Sequence, residues 1–134
     1  MPLESKPKAR LAELLREAFP KFVVQRHEDR YNGGTPDFSI DGNRRTSWWE
    51  CKDVTDEKPM KQNELQKRMM VRLNRQTYSR YIIWSHQEGI EQTFIVVPSQ
   101  INSWMTTENF SDIGFDHRFV INAVRRVHYD QERT

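Results

Sequence analysis

Residues 35 to 52 read TPDFSIDGNRRTSWWECK, two runs that alternate in character on either side of a turn around Asp-Gly-Asn. A two-residue loop at Gly42 and Asn43 makes this stretch a β-hairpin in which Asp41 pairs with Arg44 and Asp37 lies opposite Trp48. Successive strand side chains point to opposite faces, so the register sorts the residues into two sets. Phe38, Ile40, Trp49 and Cys51 make a face suited to packing. Asp37, Ser39, Trp48, Glu50 and Lys52 share the other, with Asp37 diagonal to Glu50. Whatever fold the chain adopts must bury the first face and find a use for two acids and a lysine on the second.

The flanking segments supply the layers that do the burying. Residues 8 to 18 carry Leu11, Leu14, Leu15 and Ala18 at helical spacing, with Pro7 in a favourable first turn and Pro20 as a stop. Residues 21 to 27 read as a strand and are followed by a polar, glycine-containing loop. Beyond the hairpin, residues 60 to 75 predict a second helix with Leu65, Met69 and Leu73 along its sheet-facing stripe. Residues 78 to 84 and 92 to 98 are apolar strands, residues 100 to 110 suggest a short helix, and residues 118 to 124 suit a last strand or a helix edge. At 134 residues the chain is long enough for one modest core. The expectation is a single α/β domain spanning residues 1–134, a small mixed β-sheet flanked by helices.

Composition narrows the setting. The apolar runs are too short to span a bilayer, and MPLESKPKAR has no secretory apolar stretch. The one cysteine, Cys51, can form neither an internal disulfide nor a cysteine zinc cage. A cytoplasmic protein without a membrane partner is expected. The net charge of +2 conceals a cluster: between Lys61 and Arg80 stand six basic residues against the single acid Glu64. Such a cluster suits a polyanion, although a Lys/Arg-rich helix face is also simply well solvated.

Two carboxylates held close together repel unless a cation lies between them, and a hard divalent ion such as Mg²⁺ takes oxygen ligands from one or two carboxylates, water and substrate phosphate. Lys52, two residues beyond Glu50, would stand beside that ion, positioned to orient an attacking water and to balance charge on a phosphorane-like transition state. The bland alternative is a surface hairpin with an ordinary cross-strand ion pair. Cys51 points to the packing face and reads as a small core residue.

Pro36-Asp37 followed by Glu50-Cys51-Lys52 resembles the motif of the PD-(D/E)XK nucleases, and GGTPDF is similar to the form in their VRR-NUC-type and junction-resolving members. The likeness covers roughly residues 4 to 84. It implies a restriction-endonuclease-like core in which Asp37, Glu50 and the backbone carbonyl of Cys51 hold Mg²⁺, or Mn²⁺ in its place, while Lys52 assists the attacking water. It also implies a role near the metal for Gln62, at the start of the second helix, with Gln66 a weaker candidate. Many members add an acid from the first helix. Here Glu13 and Glu17 fall on its polar face and Glu4 lies near its beginning, so this part of the pattern is poorly matched. His27, at a loop edge, reads as solvated or as a further ligand.

Arg44 and Arg45 at the hairpin turn, with Lys61, Lys67 and Arg68 on the second helix, form the expected phosphate-contacting surface. No base-reading module is legible. The reading that follows is a magnesium-dependent endonuclease selecting DNA by shape, similar to a Holliday junction resolvase and therefore a homodimer cutting branched DNA. A VRR-NUC-type nicking or flap nuclease, a small restriction-like enzyme, and a non-catalytic basic nucleic-acid-binding module are the alternatives.

Overall fold

The computed structural model describes residues 5–27, 34–60, 63–105, 110–113 and 117–129. Its elements run α1 (Ser5–Ala18), β1 (Val23–Arg26), β2 (Phe38–Gly42), β3 (Arg45–Thr55), α2 (Glu64–Gln76), β4 (Ser79–Gln87), β5 (Ile90–Val96), a 3₁₀ segment (Pro98–Ser103), β6 (Phe110–Ile113) and α3 (His117–Tyr129). The six strands form one sheet in chain order. Neighbours are antiparallel except β3 and β4, which pair in parallel from Trp48↔Ser79 to Thr55↔His86. A parallel pair needs a crossover, and α2 is that crossover. The result is an α/β fold with a mixed sheet covered by helices on both faces. No helix among the described residues is long and apolar enough to cross a membrane.

The alternation of β3 divides the interior into two cores. Trp49 and Cys51 join Phe38, Ile40, Ile82 and Trp84 under Leu11, Leu15, Val120 and Val124, so α1 and α3 cover that face. Val54, on the opposite face, joins Tyr81, Ile83, Val96, Met70 and Ile101 beneath α2 and the 3₁₀ segment. Asp37, Glu50 and Lys52 belong by parity to this second face.

Three sequence expectations change. The hairpin loop is Asn43-Arg44 instead of Gly42-Asn43: both loop residues have left-handed φ, 52° and 64°, the combination of a type I′ turn. The Phe22 ring lies so close over Gly42 that a Cβ there would run into it, so only glycine fits this strand end. The register consequently shifts by two, with Gly42↔Arg45 and Phe38↔Trp49. A shift of two preserves the faces and puts Asp37 straight across from Glu50, not diagonal to it. In α2, Asn63 caps the helix by accepting from the Gln66 N–H at 3.2 Å, which starts it later than residue 60. Gln66 and Met70 are the buried row, and Leu65 is 56% exposed. Residues 118 to 124 lie in the first half of α3, whose Val120, Ala123, Val124 and Val127 recur at helical spacing.

The C-terminal end of α3 clasps the tip of the hairpin. His128 is 3% exposed. Its Nδ1–H donates to the Gly42 carbonyl at 2.9 Å, which leaves Nε2 to accept from the Ser47 hydroxyl at 2.8 Å, while Ser47 Oγ accepts from Trp49 Nε1–H at 2.8 Å. Asn43 and Arg45 donate to the His128 and Val127 carbonyls. Every polar atom in the chain from Trp49 to Gly42 is satisfied with the imidazole neutral. Burial, reinforced by Arg45, lowers the His128 pKa below its ordinary value of 6.5, against smaller opposing effects of the Gly42 hydrogen bond and Asp41. The unfolded chain therefore binds a proton at His128 more readily than the folded one, and the stability that His128 contributes falls as pH drops from about 6.5 through the folded value. In urea titrations at pH 7.5 and pH 5 the parent's margin of stability over His128→Gln is expected to be smaller at pH 5, a comparison that isolates His128 from the other titrating groups. That variant is expected to start about 1–3 kcal/mol less stable, because Ser47 and Gly42 lose their shared partner.

Candidate metal centre

The candidate site is assembled where β2 begins and β3 has passed the middle of the sheet. Asp37 directly precedes β2, and its carbonyl accepts from the His27 N–H at 2.8 Å, tying the approach to β1. Its own N–H donates to Glu50 Oε1 at 3.0 Å. Asp37 Oδ2 accepts from the Cys51 N–H at 2.8 Å. A strand residue's N–H and C=O face the same edge, so the Cys51 carbonyl is also directed toward β2. Lys52 Nζ lies 3.6 Å from Glu50 Oε2.

The structure thus brings together Asp37, Glu50, Lys52 and the backbone of Cys51, whose side chain is fully buried on the other face. Gln62 and Lys61, together with Glu4, lie outside the described residues. Gln66 is buried on α2, while Arg68 is exposed and Lys67 half-buried. His27 is half-buried: its Nε2 lies 2.7 Å from Ser39 Oγ, and its ring stacks on Trp48 at 5.6 Å between centroids. Arg44 and Arg45 occupy the opposite end of β3, about 17 Å from Glu50 at ~3.3 Å per residue. There they line a cleft of about 350 Å³ with Thr46, Gln76, Thr77, Tyr78 and Val127.

One participant has no counterpart in the sequence reading. Lys8, from the first turns of α1, donates to Asp37 Oδ1 at 3.1 Å. Where a further acid was sought from this helix, the described residues place an ammonium group. A lysine in an opening turn carries no periodic signal of what it will meet 29 residues later. Among the described residues no group of three or more His, Cys, Asp or Glu side chains converges, so the site comprises two carboxylates and two lysines.

Electrostatics mark Glu50 as the strained member. It is 5% exposed, and its pKa is raised from 4.5 to about 8, first by burial and then by the charge of Asp37, with Lys52 and Lys8 opposing and a hydrogen bond with Asp37 adding to the rise. Tyr81, its neighbour across the parallel pairing, is kept a neutral phenol by burial and by the charges of Glu50 and Glu64. A buried carboxyl facing a second carboxylate is the donor set that a hard divalent cation relieves, and Asp37, Glu50 and the Cys51 carbonyl fit such an ion as oxygen ligands. Perturbed carboxyls of this kind concentrate at functional sites.

No known protein-family model matches the chain, and no curated protein matches it.

A carboxyl whose folded pKa is raised takes up a proton on folding, so the stability that Glu50 contributes is lost as pH rises from 4.5 toward about 8. Glu50→Gln removes this ionisation. It is expected to melt several degrees above the parent at pH 8, about 1–2 kcal/mol, with little gain at pH 5, as read by calorimetry at the two pH values.

Proposed function

We propose that the protein is a metal-dependent endonuclease that hydrolyses DNA phosphodiester bonds from a restriction-endonuclease-like core. The observation that carries this reading is the opposition of Asp37 and Glu50 across β2 and β3, with Lys52 on Glu50 and the Cys51 backbone on Asp37. The order helix, strand, hairpin, helix, strand around a mixed sheet supports it. So does the resemblance of Pro36-Asp37 and Glu50-Cys51-Lys52 to the PD-(D/E)XK motif.

Mg²⁺, or Mn²⁺ in its place, would supply Lewis acidity at phosphorus and a water of lowered pKa. Asp37 and Glu50 hold the ion through carboxylate oxygens, and the Cys51 carbonyl adds a neutral donor. The Lys52 ammonium, already beside Glu50, orients the attacking water and balances charge that builds on the phosphoryl oxygens. Tyr81, held neutral, can donate a hydrogen bond without adding negative charge to the site. At the far end of β3, Arg44 and Arg45 hold the phosphate backbone in their cleft, and Lys67 and Arg68 extend that contact along α2.

The substrate we favour is branched DNA cut by a homodimer, because contacts of this kind track the backbone and leave base sequence unread. A non-catalytic basic binding module is supported by one observation: each of the four carboxylate oxygens already has a partner within the protein, as in a plain ion-pair network.

Cleavage assays separate the two. With Mg²⁺ or Mn²⁺ the protein should cut four-way-junction DNA faster than flap, bubble or plain duplex DNA. Asp37→Ala, Glu50→Ala and Lys52→Ala should each lower the rate by about 10²-fold or more while DNA binding and the fold persist. Full activity in all three variants would sink the site assignment, and absence of metal-dependent cutting in the parent would favour the binding module. Sedimentation with and without the junction reads the dimer.

A further inference from the structure

The outer stripe of α3 carries groups that the metal centre does not use. Asn122, Arg125, Arg126 and Tyr129 recur at i, i+3, i+4 and i+7, on the side of the helix away from the buried Val120, Ala123, Val124 and Val127. Together they line an open cavity of about 420 Å³. Because α3 covers the face of the sheet made by Phe38, Ile40, Trp49 and Cys51, this cavity lies across the sheet from Asp37, Glu50 and Lys52.

Tyr129 is 51% exposed, yet its ring is backed by two others. It stacks on Phe22 at 5.6 Å and on Phe19 at 6.4 Å between centroids, and those two rings lie 5.0 Å apart and within 6° of parallel. Sides of these lengths close a triangle with both phenylalanines on the same side of Tyr129, so the other side of its ring is the exposed one. Phe19 is 3% exposed, which anchors the stack in the core. The Arg125 guanidinium lies over the Phe19 ring at 5.4 Å, and its Nη1 donates to Asn122 Oδ1 at 3.0 Å. That bond uses one of five N–H donors and ends on a neutral amide, so it holds the positive charge in place without neutralising it.

We propose that this face of α3 binds an unpaired nucleotide of a nucleic-acid strand, its base stacked on the exposed side of Tyr129 and the adjoining phosphate paired with Arg125. A basic helix face by itself is commonly just solvated. The added element here is a half-exposed ring on a fixed stack, since any unpaired base has a π-face to lay on it, whereas a base within a duplex has both faces covered by its neighbours. The arginines of the hairpin tip lie next along the surface, because Arg45 donates to the Val127 carbonyl in the same helical turn. A strand leaving their cleft can reach Tyr129 without passing over the metal centre. The site needs none of Asp37, Glu50 or Lys52.

The test measures, by fluorescence anisotropy and without added metal, the affinity for a short oligothymidylate and for an abasic strand of equal length. The parent is expected to bind the oligothymidylate about tenfold more tightly than the abasic strand. Tyr129→Leu, which still covers the phenylalanines but has no π-face, should bind the two alike, and Tyr129→Phe should behave like the parent. Arg125→Gln should weaken both and lower the slope of log affinity against log salt by about 0.7, the loss of one single-strand phosphate contact. In the parent, 5-iodouracil within the oligomer should photo-cross-link to Tyr129, a readout that depends on no variant's folding. Equal affinity of the parent for both strands, or a full preference retained in Tyr129→Leu, overturns the stacking site, as do cross-links that fall only elsewhere. Absence of binding to either strand overturns it too, while metal-dependent cutting of junction DNA, measured separately, would leave the nuclease reading standing.

Discussion

The parallel pairing of β3 with β4 is the constraint on which the rest of the molecule depends. Eight residue pairs run from Trp48↔Ser79 to Thr55↔His86, and such a pair cannot be closed by a tight turn. The chain must leave the sheet after Thr55, cross one face as α2 and return. That crossover buries Met70 against Tyr81 and Ile83 and roofs the face on which Glu50 and Lys52 stand. With β2 on its other edge, β3 is also shielded laterally. Glu50 is thus deprived of water by the topology, and its raised pKa follows from where the strand lies.

A protein that buries an acid beside another acid must compensate within the same few ångströms. Here the compensation is nearly complete: two lysines and two backbone N–H groups meet four carboxylate oxygens. Breaking any one of these contacts leaves a poorly solvated charge, so the arrangement is rigid without being strongly stabilising. The rigidity has a chemical use, because groups fixed before a ligand arrives need not be reorganised when charge develops.

Period-two alternation was the durable part of the sequence reading. The hairpin register was expected two residues away from where it lies, yet Asp37, Glu50 and Lys52 stayed on one face, because any even shift preserves parity. What had no local signal was missed. The close approach of Phe22 to Gly42, which only glycine permits, is a tertiary contact. Lys8 meets Asp37 only once α1 has docked. The helix α3 was concealed by reading too short a window: residues 118 to 124 suit a strand or a helix equally, and only the continuation through Val127 settles the period. In α2, the Asn63 cap set the start and moved the buried row to Gln66 and Met70.

The clasp between α3 and the hairpin tip bears on how the molecule comes together in time. Its hydrogen bonds join residues 81 to 86 positions apart, from Ser47–His128 to Gly42–His128. Contacts so distant in the chain form slowly, because a long loop must close before any of them is gained. Without α3, Arg44 holds its left-handed φ of 64° on the Asp41↔Thr46 and Gly42↔Arg45 pairs and the Thr46 hydroxyl's hydrogen bond to Asp41. Docking of the last helix therefore adds four long-range hydrogen bonds that this register alone can make, and the alignment of Asp37 with Glu50, at the opposite end of the same hairpin, shares in that selection.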